Sequence, residues 1–251
     1  MTSTAAPAIE AAGLVKEFRS PDGAVRAVDG LDLVVRPGEV VAFLGPNGAG
    51  KTTTLDMVLG LSAPTSGTVR VFGKKPERAI ADGQVAAALQ AGGFLRDITV
   101  RETVEVTAAL FGRHGSAVPF LERAGIAHLA DRKVGKCSGG QQQRLRFAMA
   151  LVSEPDLLLL DEPTTGMDVQ GRREFWTAIR HDAEAGRTVV FATHYLEEAD
   201  AYADRIVLVS HGRMVADGSV SQVKALASSG NLEDVFLALT TSRATAEGVS
   251  R

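Results

Sequence analysis

The chain has a single cysteine, Cys137, in 251 residues. It can form no intrachain disulfide, and with only five histidines it offers little for a structural zinc site. A basic excess is also missing: 27 Lys and Arg stand against 30 Asp and Glu, a net charge of −3. That balance argues against a nucleic-acid binder working by bulk electrostatics. Bare aliphatic runs such as Leu157–Leu160 fall far short of the roughly 18–20 apolar residues of a membrane span. Met1–Glu10 has neither a basic start nor an apolar stretch, so no secretory signal is expected. Internal repeats and low-complexity tracts are absent. What remains is a globular balance, 45% hydrophobic and 23% charged, which predicts a cytosolic domain with a substantial core.

Residues 1–8 are small and polar and read as a flexible tail. Ala24–Val28 and Leu31–Val35 read as strands, with turns at Pro21-Asp22-Gly23 and Asp29-Gly30, and give an N-terminal antiparallel β subdomain. Val40–Leu44 reads as a fully buried strand and Thr52–Leu61 as a helix. The Ala-rich stretch from about 92 to 150 reads as an inserted helical subdomain. Strand-like runs return at Asp156–Leu160, Thr188–Thr193 and Arg205–Val209. Between the first two, Gly171–Ala185 is amphipathic, with Phe175, Trp176 and Ile179 on one face and Gly186 as its stop. Buried strands alternating with helices predict an α/β fold with a mainly parallel sheet. A single domain is expected over 9–240, with a C-terminal tail at 241–251.

Gly45-Pro46-Asn47-Gly48-Ala49-Gly50-Lys51-Thr52 fits the pattern G-x-x-x-x-G-K-[ST], between a buried strand and a helix. The glycines let successive N–H groups turn around a phosphate, and the helix presents its positive end. Lys51 would reach the terminal phosphates and the Thr52 hydroxyl would bind Mg²⁺. This loop predicts a nucleotide site.

Leu157–Leu160 runs into Asp161 and Glu162 at a strand's carboxyl end, where open parallel sheets bind their ligands. Strand alternation would point the two carboxylates apart. Asp161 would hold Mg²⁺, and Glu162 would activate the water that attacks the γ-phosphate. His194 follows the run Thr188–Thr193 and is expected to contact the γ-phosphate from the same edge. Together these residues describe a P-loop NTPase with hydrolytic equipment.

Ser138-Gly139-Gly140-Gln141 precedes a second helical run, Gln142–Val152. Small residues at a helix N-terminus can form another phosphate cradle, although Ser138 would serve equally as an ordinary N-cap. A phosphate already held by one loop has little room for a second cradle from its own chain, which suggests that a second chain supplies it.

With these motifs in order, the sequence resembles the ATP-binding subunit of an ABC transporter from about Ile9 to Leu239. Ser138–Gln141 matches the family's signature motif, with Cys137 in place of the usual leading Leu. Asp161-Glu162 matches its Walker B end, Thr165-Gly166-Met167-Asp168 its D-loop, His194 its switch position and Gln90 its Q-loop. Phe18 falls where the family stacks an aromatic on adenine. The resemblance implies a head-to-tail homodimer or paired ATPase subunit enclosing two ATP molecules. Each would touch Gly45–Thr53 of one chain and Ser138–Gly140 of the other, with Gln90 in the Mg²⁺ shell and Asp168 nearby. It further implies an integral membrane permease, reached through Phe94–Val100, that holds this chain at the cytoplasmic face of the membrane. Cys137 would put a modifiable thiol beside the nucleotide interface.

Leu232-Glu233-Asp234-Val235-Phe236-Leu237 and Thr164–Asp168 resemble the drug- and antibiotic-export ATPases of the daunorubicin-resistance type. The same C-terminal residues would also make an amphipathic closing helix, with Val235, Phe236 and Leu239 packed inward. An importer subunit uses the same machinery and is the alternative. A regulatory subunit with little hydrolysis is another, although Lys51, Gln90, Glu162 and His194 are all present.

Overall fold

The structure, a computed structural model, describes residues 6–20, 23–89 and 92–241. Residues 1–5 and 242–251 of the expected tails, Pro21 and Asp22 of the expected first turn, and Gln90 lie outside the described residues. The chain runs β1 (Ile9–Ser20), β2 (Gly23–Val35), β3 (Val40–Leu44), α1 (Lys51–Val58), β4 (Ser66–Val71), α2 (Pro76–Ala81) and β5 (Val85–Ala88). It continues through α3 (Val100–Leu110), α4 (Val118–Arg123), α5 (Gly139–Leu151), β6 (Leu157–Asp161), α6 (Val169–Glu184) and β7 (Thr188–Thr193). It ends with α7 (Leu196–Tyr202), β8 (Arg205–Ser210), β9 (Arg213–Ser219), α8 (Val220–Lys224) and α9 (Leu232–Thr241). Two compact units result: the segments up to Ala79 and from Val190 form one, and Ile80–Val189 the other.

In the first unit β1 pairs antiparallel with both β2 and β4. Leu31, Leu33 and Val35 are buried while Asp32 and Val34 face out, the alternation of a strand with one wet side. The expected turn at Asp29-Gly30 is not a turn, because β2 runs unbroken through it. Gly30 takes φ +72° where the register against β1 slips between Leu14 and Val15, so the pair forms a bulge within the ladder. Parallel pairing joins β3 to β8, and β9 returns antiparallel beside β8. His211 (φ +50°) and Gly212 (φ +75°) make the two-residue turn between β8 and β9, with the positive φ at both positions that a tight hairpin needs. The last helix, α9, packs on α7, α8 and β8. It buries Leu232 and Val235, with Phe236 and Leu239 half-buried.

In the second unit β5 lies parallel to β6, and all five β6 residues are buried. Each of its four leucines contributes about 1.5–3 kcal/mol by leaving water. Phe175, Trp176 and Ile179 form the buried face of α6, as the amphipathic pattern predicts. Phe147 of α5 meets Phe175 edge-on at 5.2 Å. Asp182 is buried between Arg123 of α4, which donates to both its oxygens at 2.8 and 3.0 Å, and Arg187 at 2.8 Å.

Candidate functional site

The 45–50 loop hangs from β3, whose five residues are all buried and so fix where the loop begins. A Cβ on Gly45 would collide with the Val209 carbonyl, and one on Gly50 with the Ala27 carbonyl. Gly48 and Gly50 take φ +80° and +98°, a region that L side chains rarely adopt. Gly50 is also the N-cap of α1 and has no side chain to compete for the first-turn N–H groups. Lys51 is 7% exposed, and its ammonium donates to the carbonyls of Gly45 at 2.6 Å and Pro46 at 3.2 Å. The lysine is therefore held at the mouth of its own loop, with Thr52 exposed and Thr53 half-buried beside it.

Residues outside the motif support this loop. The Gly212 N–H donates to the Ala49 carbonyl at 3.1 Å, and the Asp29 N–H to the Gly212 carbonyl at 2.9 Å. Arg213 Nε donates to Asp29 at 2.7 Å. The β8–β9 turn and the β2 bulge thus brace the loop from behind. No short pattern marks either of them, and only a glycine at each position hinted at a special backbone. Elsewhere in this unit Phe18 is 47% exposed on β1, with the Lys16 ammonium 5.2 Å from its ring centre. His194 is exposed directly after β7 and stacks on Tyr195 with ring centres 4.1 Å apart. The Thr193 hydroxyl orders that corner by accepting from the Tyr195 N–H at 3.0 Å and donating to buried Glu198 at 3.2 Å.

In the second unit Asp161 is the last residue of β6 and is 5% exposed. Glu162 lies beyond the strand at φ +49°. Glu162 thus leaves the strand through a left-handed residue, so the alternation expected of the pair does not extend to it. Such a conformation costs free energy in a side chain other than glycine and collects at functional sites. The Glu162 carbonyl accepts from the Thr165 N–H at 3.3 Å and from Gln143 Nε2 at 3.4 Å.

The second glycine cradle lies inside a helix, not ahead of one. Helix α5 begins at Gly139, three residues earlier than the periodicity suggests, because Ser138 caps it. The Ser138 hydroxyl accepts from the Gln141 N–H at 3.3 Å, and Gln141 Oε1 accepts from the Ser138 N–H at 3.0 Å. A Cβ on Gly139 would meet open space, whereas Gly140 is packed against Gly166 and Met167. Asp168 caps α6, accepting from the Gly171 N–H at 2.6 Å. Ser138, Gly140, Gln141, Arg144, Gly166 and Asp168 share the lining of one open pocket of about 250 Å³. Cys137 is 8% exposed, and its thiol donates to the Lys133 carbonyl at 3.7 Å. Burial pushes that thiol above its ordinary range.

The chain is similar to known proteins over most of its length. The family model for the ABC transporter matches residues 28–165. Nod factor export ATP-binding protein I of Paraburkholderia xenovorans (strain LB400) is 41% identical over 223 residues, 86% of this chain and 73% of that protein. The daunorubicin/doxorubicin resistance ATP-binding protein DrrA of Streptomyces peucetius is 40% identical over 225 residues, 87% of this chain and 67% of that one. A dimeric ATP-binding cassette in a post-hydrolysis state, bound to ADP and Pi, matches with a TM-score of 0.76 at 26% identity, over 84% of this chain and 98% of that chain. The ATP-binding subunit of another ABC transporter gives 0.80 at 23% identity, over 92% and 98%, a likeness of fold. The chain belongs to the ABC transporter family, as an ATP-binding and ATP-hydrolysing cassette.

Proposed function

We propose that this chain powers the export of a small molecule through a separate membrane permease. It would sit at the cytoplasmic face of the membrane and work as a head-to-tail pair. The observation that carries the reading is the loop at 45–52, whose glycines bring the backbone in close and whose lysine stands at its mouth. The direction of transport is supported by the relatives, an export and a drug-resistance ATP-binding protein.

In this reading Phe18 stacks on adenine, and Gly45–Thr53 wraps the phosphates. The N-terminus of α5 in the partner, with Ser138, Gly139, Gly140 and Gln141, closes over the γ-phosphate, and Asp168 lies beside that contact. The Thr52 hydroxyl and the Asp161 carboxylate are hard oxygen donors and few in number, the kind of set that suits Mg²⁺ beside nucleotide phosphates. They would hold it with Gln90, and the ion would neutralise charge on the β- and γ-phosphate oxygens. Glu162 accepts a proton from the attacking water as its oxygen bonds to the γ-phosphorus and the bond to the β-phosphate oxygen breaks. Lys51 and His194 hold the charge on the γ-phosphate oxygens. The stretch Phe94–Val100, with Leu95 71% exposed, is the face offered to the permease.

The test is hydrolysis by the subunit together with its permease, comparing wild type with Glu162→Gln. The variant is expected to bind Mg·ATP and dimerise while turning over at least about 100-fold more slowly, the range of a lost general base. Comparable hydrolysis by both proteins would overturn the role of Glu162.

A further inference from the structure

Arg146 lies on α5, two turns after the glycine cradle, and makes three contacts with no part in the assignments above. Its Nη2 donates to the Gly92 carbonyl at 2.6 Å, and its guanidinium carbon lies 4.7 Å from the centre of the Phe94 ring. Its Nη1 donates to Gln143 Oε1 at 2.8 Å. Gln143 uses the other end of the same amide to donate to the Glu162 carbonyl at 3.4 Å. A continuous path therefore runs from Gly92 and Phe94, through one side of α5, to the backbone of Glu162.

The polarity of that path is fixed by its ends. A guanidinium offers only donors and a carbonyl only accepts, so the Gln143 amide has one satisfactory orientation. An arginine suits the position because its planar fork can donate to two acceptors while its face lies on an aromatic ring, which a lysine cannot do. Burial pulls the Arg146 guanidinium below its ordinary range, a sign that the group is partly stripped of water. At the far end, Glu162 holds a left-handed backbone that its surroundings must maintain.

We infer that Arg146 is a positioning residue that couples the segment Gly92–Phe94 to the backbone of Glu162 through Gln143. The inference rests on the reading of Glu162 as the base and of Phe94–Val100 as the permease-facing stretch. A docked permease that moves Phe94 shifts Arg146, and Gln143 passes the shift to the carbonyl of Glu162. The 3.4 Å link is the weakest and sets the size of the effect: about fivefold in rate, what one net hydrogen bond carries.

Hydrogen exchange on the full chain tests the path directly. Arg146→Met is expected to speed exchange in residues 92–98 and also in 162–168, with Arg146→Lys intermediate. Phe94→Leu should affect the same two segments, and the double variant should add nothing further. A change confined to 92–98 overturns the coupling. Phe94 is half-buried near the surface, so Phe94→Leu keeps the test decisive if Arg146→Met fails to fold. In single-turnover hydrolysis of Mg·ATP by the full chain, Arg146→Met is expected to slow the step about fivefold with the ATP half-saturation unchanged. A wild-type rate for Arg146→Met, with Glu162→Gln inactive, overturns the coupling and leaves the base in place. Hydrolysis by Glu162→Gln overturns the base instead, and the exchange result still decides the coupling.

Discussion

Gly140, in the first turn of α5, lies so close to Met167 that a Cβ on it would stand 3.1 Å from that side chain and 3.1 Å from the Gly166 carbonyl oxygen. Here glycine serves close approach rather than an unusual φ, since the position is helical. Gly140→Ala gains less than the roughly 1 kcal/mol of helix propensity seen in a helix interior, and asks Met167 and Gly166 to give by only a few tenths of an ångström. The fold should therefore survive, while the loop carrying Asp168 shifts. In a Glu162→Gln background, light scattering with Mg·ATP should show the dimer weakened or lost on adding Gly140→Ala. A dimer of undiminished strength would count against the pairing role of this contact.

Lys51 and its loop make a different demand. Lys51→Met removes the ammonium but none of the glycines, so folding should hold. ATP affinity should fall about 10–100-fold, as for one or two lost charge-assisted hydrogen bonds. Gly50→Ala should instead lower the unfolding midpoint, because it sets a side chain at φ +98° against the Ala27 carbonyl. Titration of a fluorescent ATP analogue, with urea unfolding alongside, separates the two. Equal affinity for Lys51→Met and wild type would remove Lys51 from the site.

How much of this was legible in the sequence depended on how local the cause was. The end of β3 follows from an unbroken apolar run that stops at Gly45, and β7 from the core Val189–Ala192 flanked by two β-branched threonines before His194. The bulge at Gly30 reads as a turn in the sequence because a turn and a bulge use the same residues. What distinguishes them is the pairing with Leu14 and Val15, many residues away. The left-handed Glu162 precedes Pro163, and a residue before proline is normally steered towards extended backbone, so the local signal pointed the wrong way. Gly212 and Arg146 act through partners that no spacing rule connects. An isolated arginine on a helix usually reads as a solvated face, and only the approach of Gly92 and Phe94 shows otherwise.

Cys137 adjoins the Ser138 cap, yet its surroundings oppose the modification that its position suggested. The thiol is buried, and burial raises its pKa more than the nearby Arg132 lowers it. Both effects reduce the thiolate, the species that reacts. Iodoacetamide at pH 7.5 should label the folded chain at least about tenfold more slowly than the urea-unfolded chain, with the rate still rising above the ordinary thiol value of about 8.5. Cys137→Ala should leave hydrolysis close to wild type. Rapid labelling of the native chain with loss of turnover would restore the thiol as a sensitive point.

Glu102 closes the N-terminus of α3, the helix whose Val106 and Leu110 are 54% and 83% exposed. Its carboxylate accepts from the Thr99 N–H at 2.7 Å and from the Thr99 hydroxyl at 2.8 Å. These bonds, helped by the charge of Lys133, hold the carboxyl below its ordinary range. A carboxyl with a lower pKa folded than unfolded stabilises the fold above the unfolded value, about 4.3, and that stabilisation is lost as pH falls through the folded value. Gln in its place keeps a neutral capping box and so isolates the charge. Wild type should therefore be more stable than Glu102→Gln in urea at pH 7, and the gap should narrow and close as the carboxyl protonates. A gap that stays constant down to the most acid pH at which the chain folds would mean that shape, not charge, sets the value of this cap.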